Sequence, residues 1–386
     1  MDSFKADEFM RVLHSGTLAA KAGGPAMSTY LTLYGLQKLG IEAELIQFPL
    51  SEGDILRGDR VAVHYAESPW EYKFGFAPRF ENDILRLGIY DIYHAQGIWQ
   101  WQTYALVNAA RHMKKPYVIT PRGMLYPQDI AKSSTLLKQI SLRLRLLSDL
   151  NHAACVHVTC LEEMKHCRDL GVTVPCCVIP NPVEIKDYLF VKQDEVFRLG
   201  YLGRLSPRKN VEALIYAFAS LRNEMKNAEL LIIGGGDEMY EKFLKSEAKR
   251  LNLNNVFFTG FLSGEKKEQA LASCSVLAMP SEFENLGNVI LEGLVRRIPC
   301  IATKGSPWEE LNTKQCGWWV DFSQEAITEA VKNAICTSSE QLSTMGNNGR
   351  KLMEEYYSVE AVALKMKEVY SWILNVGSRP DCVHVI

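Results

Sequence analysis

The stretch Arg198-Leu199-Gly200-Tyr201-Leu202-Gly203-Arg204-Leu205-Ser206-Pro207-Arg208-Lys209-Asn210 reads as a short strand, a glycine turn and the entry to a helix beginning near Val211. A strand handed directly to a helix is the repeating unit of a parallel sheet, whose ligands sit beyond the carboxyl ends of the strands. The alternation continues through Leu230-Leu231-Ile232-Ile233, Val256-Phe257-Phe258, Val276-Leu277-Ala278-Met279 and Cys300-Ile301-Ala302. Upstream lies a separate series: Val12-Leu13-His14, Glu44-Leu45-Ile46, Asp91-Ile92-Tyr93, Tyr117-Val118-Ile119-Thr120, Cys155-Val156-His157-Val158 and Cys177-Val178-Ile179. Pro180-Asn181-Pro182-Val183 breaks both patterns. The expected architecture is α/β, with two doubly wound, Rossmann-like domains over 1–182 and 183–357 facing each other across a cleft. The last helical pattern, about Val359 to Leu374, is too polar on one side for a buried core helix. Residues 358–386 are expected to pack back on the first domain.

Composition excludes several classes. A chain of 386 residues with 47% hydrophobic and 23% charged residues is long enough for two cores. A net charge of −2 gives no bulk attraction for nucleic acid. The ten cysteines include adjacent Cys176-Cys177 but no pair of C-x-x-C units, so reduced cytosolic thiols are the simplest reading. Met1-Asp2-Ser3-Phe4-Lys5-Ala6-Asp7-Glu8 mixes both charge signs, and no run of eighteen apolar residues occurs. A cytoplasmic protein with neither signal peptide nor membrane span is expected.

Candidate chemistry gathers at strand ends. In Ser281-Glu282-Phe283-Glu284-Asn285-Leu286-Gly287-Asn288-Val289-Ile290-Leu291-Glu292, Glu284 precedes a helix and Glu292 lies within it. A helix start favours a phosphate, and a carboxylate one turn in can bind both hydroxyls of a ribose; a plain dipole complement is the alternative. Arg204 and Lys209 flank the Ser206-Pro207 turn and can converge on one diphosphate, or form an ordinary solvated basic turn. Gly234-Gly235-Gly236 permits close backbone approach but lacks the G-x-G-x-x-G spacing.

In the first series, Gly23-Gly24-Pro25 precedes a helix and can present backbone to an anion, or serve only as a turn. His94-Ala95-Gln96-Gly97-Ile98-Trp99 follows a strand ending near Tyr93, which would let His94 contact a sugar, or leave it a structural histidine, the commoner role of a lone His. Trp99 and Trp101 read as packing. Arg122, after Thr120-Pro121, is a candidate for an acidic acceptor or a pyrophosphate, or an exposed loop arginine. The basic amphipathic stretch from Leu136 to Leu147 could rest on an anionic bilayer, but a core-facing helix is the preferred reading.

Taken in order, these pieces resemble the family 4 retaining glycosyltransferases of the GT-B fold, over about residues 9 to 372. The resemblance rests on Gly23-Gly24-Pro25, His94-x-x-Gly97-x-Trp99, Pro121-Arg122-Gly123-Met124, Ile179-Pro180-Asn181-Pro182-Val183, Gly203-Arg204-Leu205 with Lys209, Gly234-Gly235-Gly236, and Glu284-x7-Glu292 followed by Pro299. It implies that Glu292 binds the donor ribose, Glu284 contacts the transferred sugar, and Arg204 with Lys209 holds the pyrophosphate. Gly23, Gly24, Gly203, Gly235 and the Leu286-Gly287-Asn288-Val289 backbone complete the implied donor site. His94, Glu284, Arg204 and Lys209 are the implied catalytic set, with Gln96 and Arg122 as acceptor or phosphate contacts. Two positions depart from the pattern: the family often has His at Gln96 and Gly at Pro182. If the second histidine of a His-x-His pair is the functional one, Gln96 substitutes a hydrogen bond without a titratable group.

The implied activity is retaining transfer of a sugar from a nucleoside-diphosphate sugar to a glycan or lipid-linked acceptor, in surface polysaccharide or lipopolysaccharide assembly. A UDP-sugar is the first expectation and a GDP-sugar the second, with no metal and no further cofactor. Peripheral contact with the inner face of the membrane follows if the acceptor carries a lipid. A nucleotide-sugar epimerase or hydrolase, or a non-catalytic nucleotide-sugar-binding protein, are the rival readings.

Overall fold

The computed structural model describes residues 10–51, 53–54, 56, 60–70, 74–131, 135–189, 196–222 and 227–385. The charged leading segment Met1 to Glu8 lies outside the described residues. In chain order the strands are β1 (Arg11–Ser15), β2 (Glu42–Gln47), β3 (Ala62–Tyr65), β4 (Ile92–Gln96), β5 (Tyr117–Thr120), β6 (Cys155–Val158), β7 (Cys176–Val178), β8 (Phe197–Leu202), β9 (Ala228–Ile233), β10 (Val256–Gly260), β11 (Val276–Met279), β12 (Cys300–Thr303), β13 (Gly317–Val320) and β14 (Val383–His384). They divide between two compact units, Met1–Pro182 with Val359–Ile386, and Val183–Ser358.

The first unit carries one sheet in the order β14-β7-β6-β5-β4-β1-β2-β3, parallel except where β14 meets β7. The second carries an all-parallel sheet, β10-β9-β8-β11-β12-β13. Each is doubly wound, in agreement with the α/β class read from the sequence. Helices cover both faces of such a sheet, so central strands are apolar on both sides. β4, β5, β6, β11 and β12 are buried at every position.

One boundary differs from expectation. β4 does not end near Tyr93 but runs to Gln96, so His94 and Gln96 lie inside a fully buried strand. They alternate on one face, and parallel pairing sets His14 of β1 beside His94. These polar residues look like the start of a loop in sequence; in the fold they are core.

The Val359–Ile373 helix packs on the Gly24–Lys38 helix of the first unit, burying Val359, Val362, Ala363, Met366, Val369 and Tyr370. Gly35 makes this approach feasible. A Cβ there would stand 2.8 Å from the Ala363 Cβ, 2.8 Å from the Val359 Cγ1 and 2.9 Å from the Val359 carbonyl oxygen.

The Leu136 to Leu147 stretch corrects another expectation. Thr135–Ser141 is α-helical and Leu142–Leu146 continues it with π-type turns. Leu142 and Leu146 face the core, but Leu136, Leu137, Ile140 and Leu144 face outward, with Leu136 69% and Leu144 78% exposed. The widened turn lets two leucines reach inward while the others form an apolar outer stripe. No described helix is long and apolar enough to cross a membrane.

Replacing Gly35 with valine should cost about 2 kcal/mol, because overpacking against a backbone oxygen cannot be relieved by a rotamer change. The urea midpoint of Gly35→Val measures this; a midpoint equal to the parent's would show that the two helices can move apart freely.

Candidate functional site

In the second unit, consecutive strands leave β8 and β11 toward opposite sides of the sheet, and a crevice opens beyond their carboxyl ends. β8 delivers Gly203 and Arg204 there, and β11 delivers the Pro280 to Gly287 loop. Glycines bring the β9 loop close beneath. A Cβ on Gly234 would lie 1.9 Å from the Gly203 oxygen, and one on Gly236 would lie 2.2 Å from the Leu205 oxygen. Asp237 then caps the Glu238–Arg250 helix, accepting from the Met239 and Tyr240 amides at 2.9 and 3.0 Å.

Arg204 is exposed, and among the described residues its guanidinium has no hydrogen-bond or ion-pair partner. Its carbonyl accepts from the buried Tyr201 hydroxyl at 2.9 Å, which anchors the turn. The Pro207–Lys209 3-10 turn aims Lys209 at Glu284, and the two form an ion pair. Asn210, at φ 51, ties this turn to the opposite loop through the Pro280 carbonyl, 3.3 Å away. The Glu282 amide adds a bond to the Arg208 carbonyl at 3.0 Å.

The carboxylate-bearing loop is held from beneath. Thr303 donates to the Ser281 carbonyl and Trp308 donates its indole N–H to the Leu286 carbonyl. Trp308 is fully buried and stacks on Tyr357, with centroids 5.5 Å apart. Gly287 takes φ +74, a left-handed conformation that favours glycine, at the entry to the Asn288–Val295 helix. As a glycine, the N-cap residue has no side chain of its own to cap that N-terminus. One turn inside, Glu292 pairs with Lys267 of the Gly264–Ala272 helix at 2.5 Å. Lys267 carries no local signal in the sequence, where it is one of several charged residues in Glu265-Lys266-Lys267-Glu268. Thus Gly203, Arg204, Lys209, Gly235, Glu284, Leu286, Gly287, Asn288, Val289 and Glu292 all belong to the carboxyl edge of one sheet.

In the first unit the corresponding crevice lies between β1 and β4. Gly23, at φ +64, and Gly24 enter the Gly24–Lys38 helix, with Pro25 in its first turn. Arg122 meets that helix from the end of β5. It donates to Ser28 Oγ at 2.6 Å, Thr29 Oγ1 at 3.1 Å, Asn181 Oδ1 at 3.4 Å and Gln96 Oε1 at 2.6 Å. It is partly buried rather than an exposed loop residue. Burial pulls its pKa down to about 10, Glu163 opposes that, and it stays cationic at neutral pH.

The expectation that His94 reaches a sugar is not met by this geometry. His94 is fully buried, with Nδ1 2.6 Å from the Tyr370 hydroxyl and Nε2 2.6 Å from Thr120 Oγ1. No ring nitrogen is left for a ligand. Gln96 lies at the strand end instead, bonded to Arg122 on one side and to His14 Nδ1, 3.0 Å away, on the other. Nothing in the sequence marks His14 or Tyr370 as a partner of Gln96 or His94. Trp99 and Trp101 pack: Trp99 donates to the Met124 carbonyl at 3.2 Å, and Trp101 meets Phe76 edge-on at 4.8 Å.

Two sequence profiles match this chain, one described as Glycosyl transferase 4-like domain over residues 23–182 and one as Glycosyl transferases group 1 over residues 186–352. The chain belongs to the glycosyltransferases. It is 27% identical over 190 residues to an uncharacterized glycosyltransferase of Methanocaldococcus jannaschii, covering 48% of each chain. It is 29% identical over 177 residues to a GDP-mannose-dependent alpha-(1-6)-phosphatidylinositol monomannoside mannosyltransferase of Mycobacterium tuberculosis, covering 43% of this chain and 45% of that one. The chain thus spans about half the length, or less, of the first curated relatives it matches. Anabaena HepE in complex with UDP and glucose superposes with a TM-score of 0.75 at 20% identity, covering 94% of this chain and all of that one. That likeness shows the same fold.

Burial holds His14 down to about 3, His157 down to about 4 and His94 well below the ordinary value of 6.5; Arg122 adds to the effect at all three. The unfolded chain protonates these rings near pH 6.5 and the folded chain does not until far lower pH. The unfolded state therefore binds more protons in that window, and stability falls as pH drops from about 6.5 toward 4. Each ring held neutral contributes at most about 1.4 kcal/mol per pH unit. The urea midpoint should be clearly lower at pH 5 than at pH 7; equal midpoints would mean that the rings protonate in the folded protein.

Proposed function

We propose that this chain transfers a sugar from a nucleoside-diphosphate sugar to a hydroxyl of a glycan or lipid-linked saccharide, with retention at the anomeric carbon. The observation that carries the reading is the β8/β11 crevice. Its edge carries Arg204, the Lys209–Glu284 pair and a helix entry that begins at a glycine, a combination that supports a diphosphate there. Glu292 is assigned to the ribose hydroxyls, which would displace Lys267 from it. Glu284 is assigned to the transferred sugar, and Leu286, Gly287, Asn288 and Val289 to the phosphates through their backbone. In the first unit, Gly23, Gly24 and Arg122 are assigned to an anionic group of donor or acceptor, with Gln96 beside them.

The acceptor oxygen attacks the anomeric carbon on the face from which the diphosphate departs. The bond from that carbon to the phosphate oxygen breaks, and the acceptor proton passes to the departing phosphate. Arg204 and Lys209 supply positive charge as negative charge develops on the leaving group, so catalysis is electrostatic stabilisation and positioning, with no protein nucleophile and no metal required. Relatives that use GDP-mannose and a solved structure holding UDP support a nucleoside diphosphate without selecting the base.

A lipid-linked acceptor places the enzyme on the cytoplasmic membrane surface, in polysaccharide or lipopolysaccharide assembly. The exposed Leu136, Leu137, Ile140 and Leu144 stripe, with Arg143 beside it, supports such contact.

Thermal shift against UDP, GDP, ADP and their sugar conjugates should give a rise in Tm with one nucleotide, abolished in Glu292→Ala. No response to any of them removes the donor site, and free sugar released without acceptor would mark a hydrolase. Arg204→Ala should lower kcat/KM by about thirtyfold or more, a loss of about 2 kcal/mol of transition-state stabilisation. Cosedimentation with anionic lipid vesicles should fall in Leu136→Glu/Leu144→Glu; unchanged binding would place membrane contact elsewhere.

A further inference from the structure

Inside the first unit the polar residues of β1, β4, β5 and β6 form one hydrogen-bonded chain whose direction can be deduced from its far end. His157 Nε2 lies 2.9 Å from the Ile179 carbonyl oxygen, which can only accept. His157 therefore carries its proton on Nε2, and its Nδ1 accepts from the Thr120 hydroxyl at 2.9 Å. With that proton committed, Thr120 Oγ1 accepts from His94 Nε2–H at 2.6 Å. His94 Nδ1 is then a lone pair and takes the Tyr370 proton at 2.6 Å. The Tyr370 oxygen accepts in turn from His14 Nε2–H, a longer contact of 3.4 Å. His14 Nδ1 accepts from the Gln96 amide nitrogen at 3.0 Å, which leaves the Gln96 oxygen to accept from Arg122 at 2.6 Å. Every member donates once and accepts once along this path, and every donor points away from Arg122.

Arg122 is an unusual terminus. Its partners Ser28, Thr29, Asn181 and Gln96 are all neutral, it makes no ion pair among the described residues, and its Nε finds no hydrogen-bond partner. A partly buried guanidinium without a carboxylate keeps its charge available for an anion.

We propose that Tyr370 and His14 are positioning residues for Arg122: through the one-way chain they fix the Gln96 amide with its oxygen toward the guanidinium, holding that cation un-neutralised for an anionic group of the substrate, a phosphate in chemical class. The proposal rests on the transferase reading for the identity of the anion, though not for the chain itself. Three consequences follow from the direction. His14, His94 and His157 all carry the proton on Nε2. Glutamine suits position 96 because it accepts from Arg122 and donates to His14 without titrating. Reversal is blocked, because a flipped His157 would turn a lone pair toward the Ile179 oxygen.

The charged and titratable neighbours are few. Arg122, His14, His94 and His157 face one another, Cys177 of β7 lies near Tyr370, and Glu163 acts on Arg122 from the Leu161–Asp169 helix.

The chain is tested by nitrogen NMR of the full-length protein labelled at histidine. Three of the eight histidines should show the Nε2–H tautomer and no titration between about pH 5 and 8. Titrating rings or Nδ1–H tautomers would overturn the assignment. Gln96→Glu keeps the acceptor for Arg122 but removes the donor to His14, so the His14 proton should move to Nδ1 or the ring should gain a second proton; an unchanged, non-titrating Nε2–H ring would overturn the chain's direction. The link to substrate is tested by a double-mutant cycle. Tyr370→Phe should lower kcat/KM about tenfold alone and have little further effect in an Arg122→Ala background. Losses that simply add would show that Tyr370 acts elsewhere. If no nucleotide binds, the transferase reading fails while the NMR result still decides the chain; if nucleotides bind and the tautomers are wrong, only the chain fails.

Discussion

The constraint on which both units depend is the handedness of the connection between parallel strands. A right-handed crossover puts each helix on a face set by the direction in which the next strand is laid down. Where that direction reverses, between β1 and β4 and again between β8 and β11, neighbouring strands send their chains to opposite faces and leave a crevice. Arg204 and the Pro280 to Gly287 loop are therefore brought together by topology, although far apart in sequence. Local chemistry then refines the crevice: Trp308 fixes the height of the loop through the Leu286 carbonyl, and Asn210 ties it to the Ser206 to Lys209 turn.

The two units treat polar groups differently. At the β8/β11 edge the charges are left near solvent, and two of the carboxylates rest on lysines: Glu284 on Lys209 and Glu292 on Lys267. Both pairs keep some contact with water, so a ligand can compete for either partner. Beneath the β1/β4 edge the polar groups are sealed in the sheet, where an unmatched donor would cost about 1–3 kcal/mol. There the solution is neutrality: burial keeps three imidazoles uncharged, and each finds both a donor and an acceptor.

Much of this was legible in sequence because a strand buried on both faces is a short apolar run, and β5, β6, β11 and β12 are such runs. β3 was missed because Ala62-Val63-His64-Tyr65 is a half-exposed edge with no apolar signature. β13 and β14 were missed as well; β14 has two residues. The end of β4 was misplaced because His94 and Gln96 imitate a loop. Arg204, Lys209, Glu284 and Glu292 could be named because turns and a helix start position them locally. His14, Tyr370 and Lys267 could not, since their significance comes from partners that only tertiary packing supplies; His94 and Tyr370 are 276 residues apart.

The first unit is closed by a segment that follows the second unit in sequence: the Val359–Ile373 helix and β14 join it only after the whole of the second unit has been made. On a ribosome that delivers the N-terminus first, residues 1–182 emerge with an apolar flank of the Gly24–Lys38 helix uncovered, and wait while 183–358 emerges. The second unit is continuous in sequence and can complete its core as soon as it is released. The order of folding is thereby inverted with respect to the order of synthesis, and residues translated after the second unit are among those that decide whether the first ones become native.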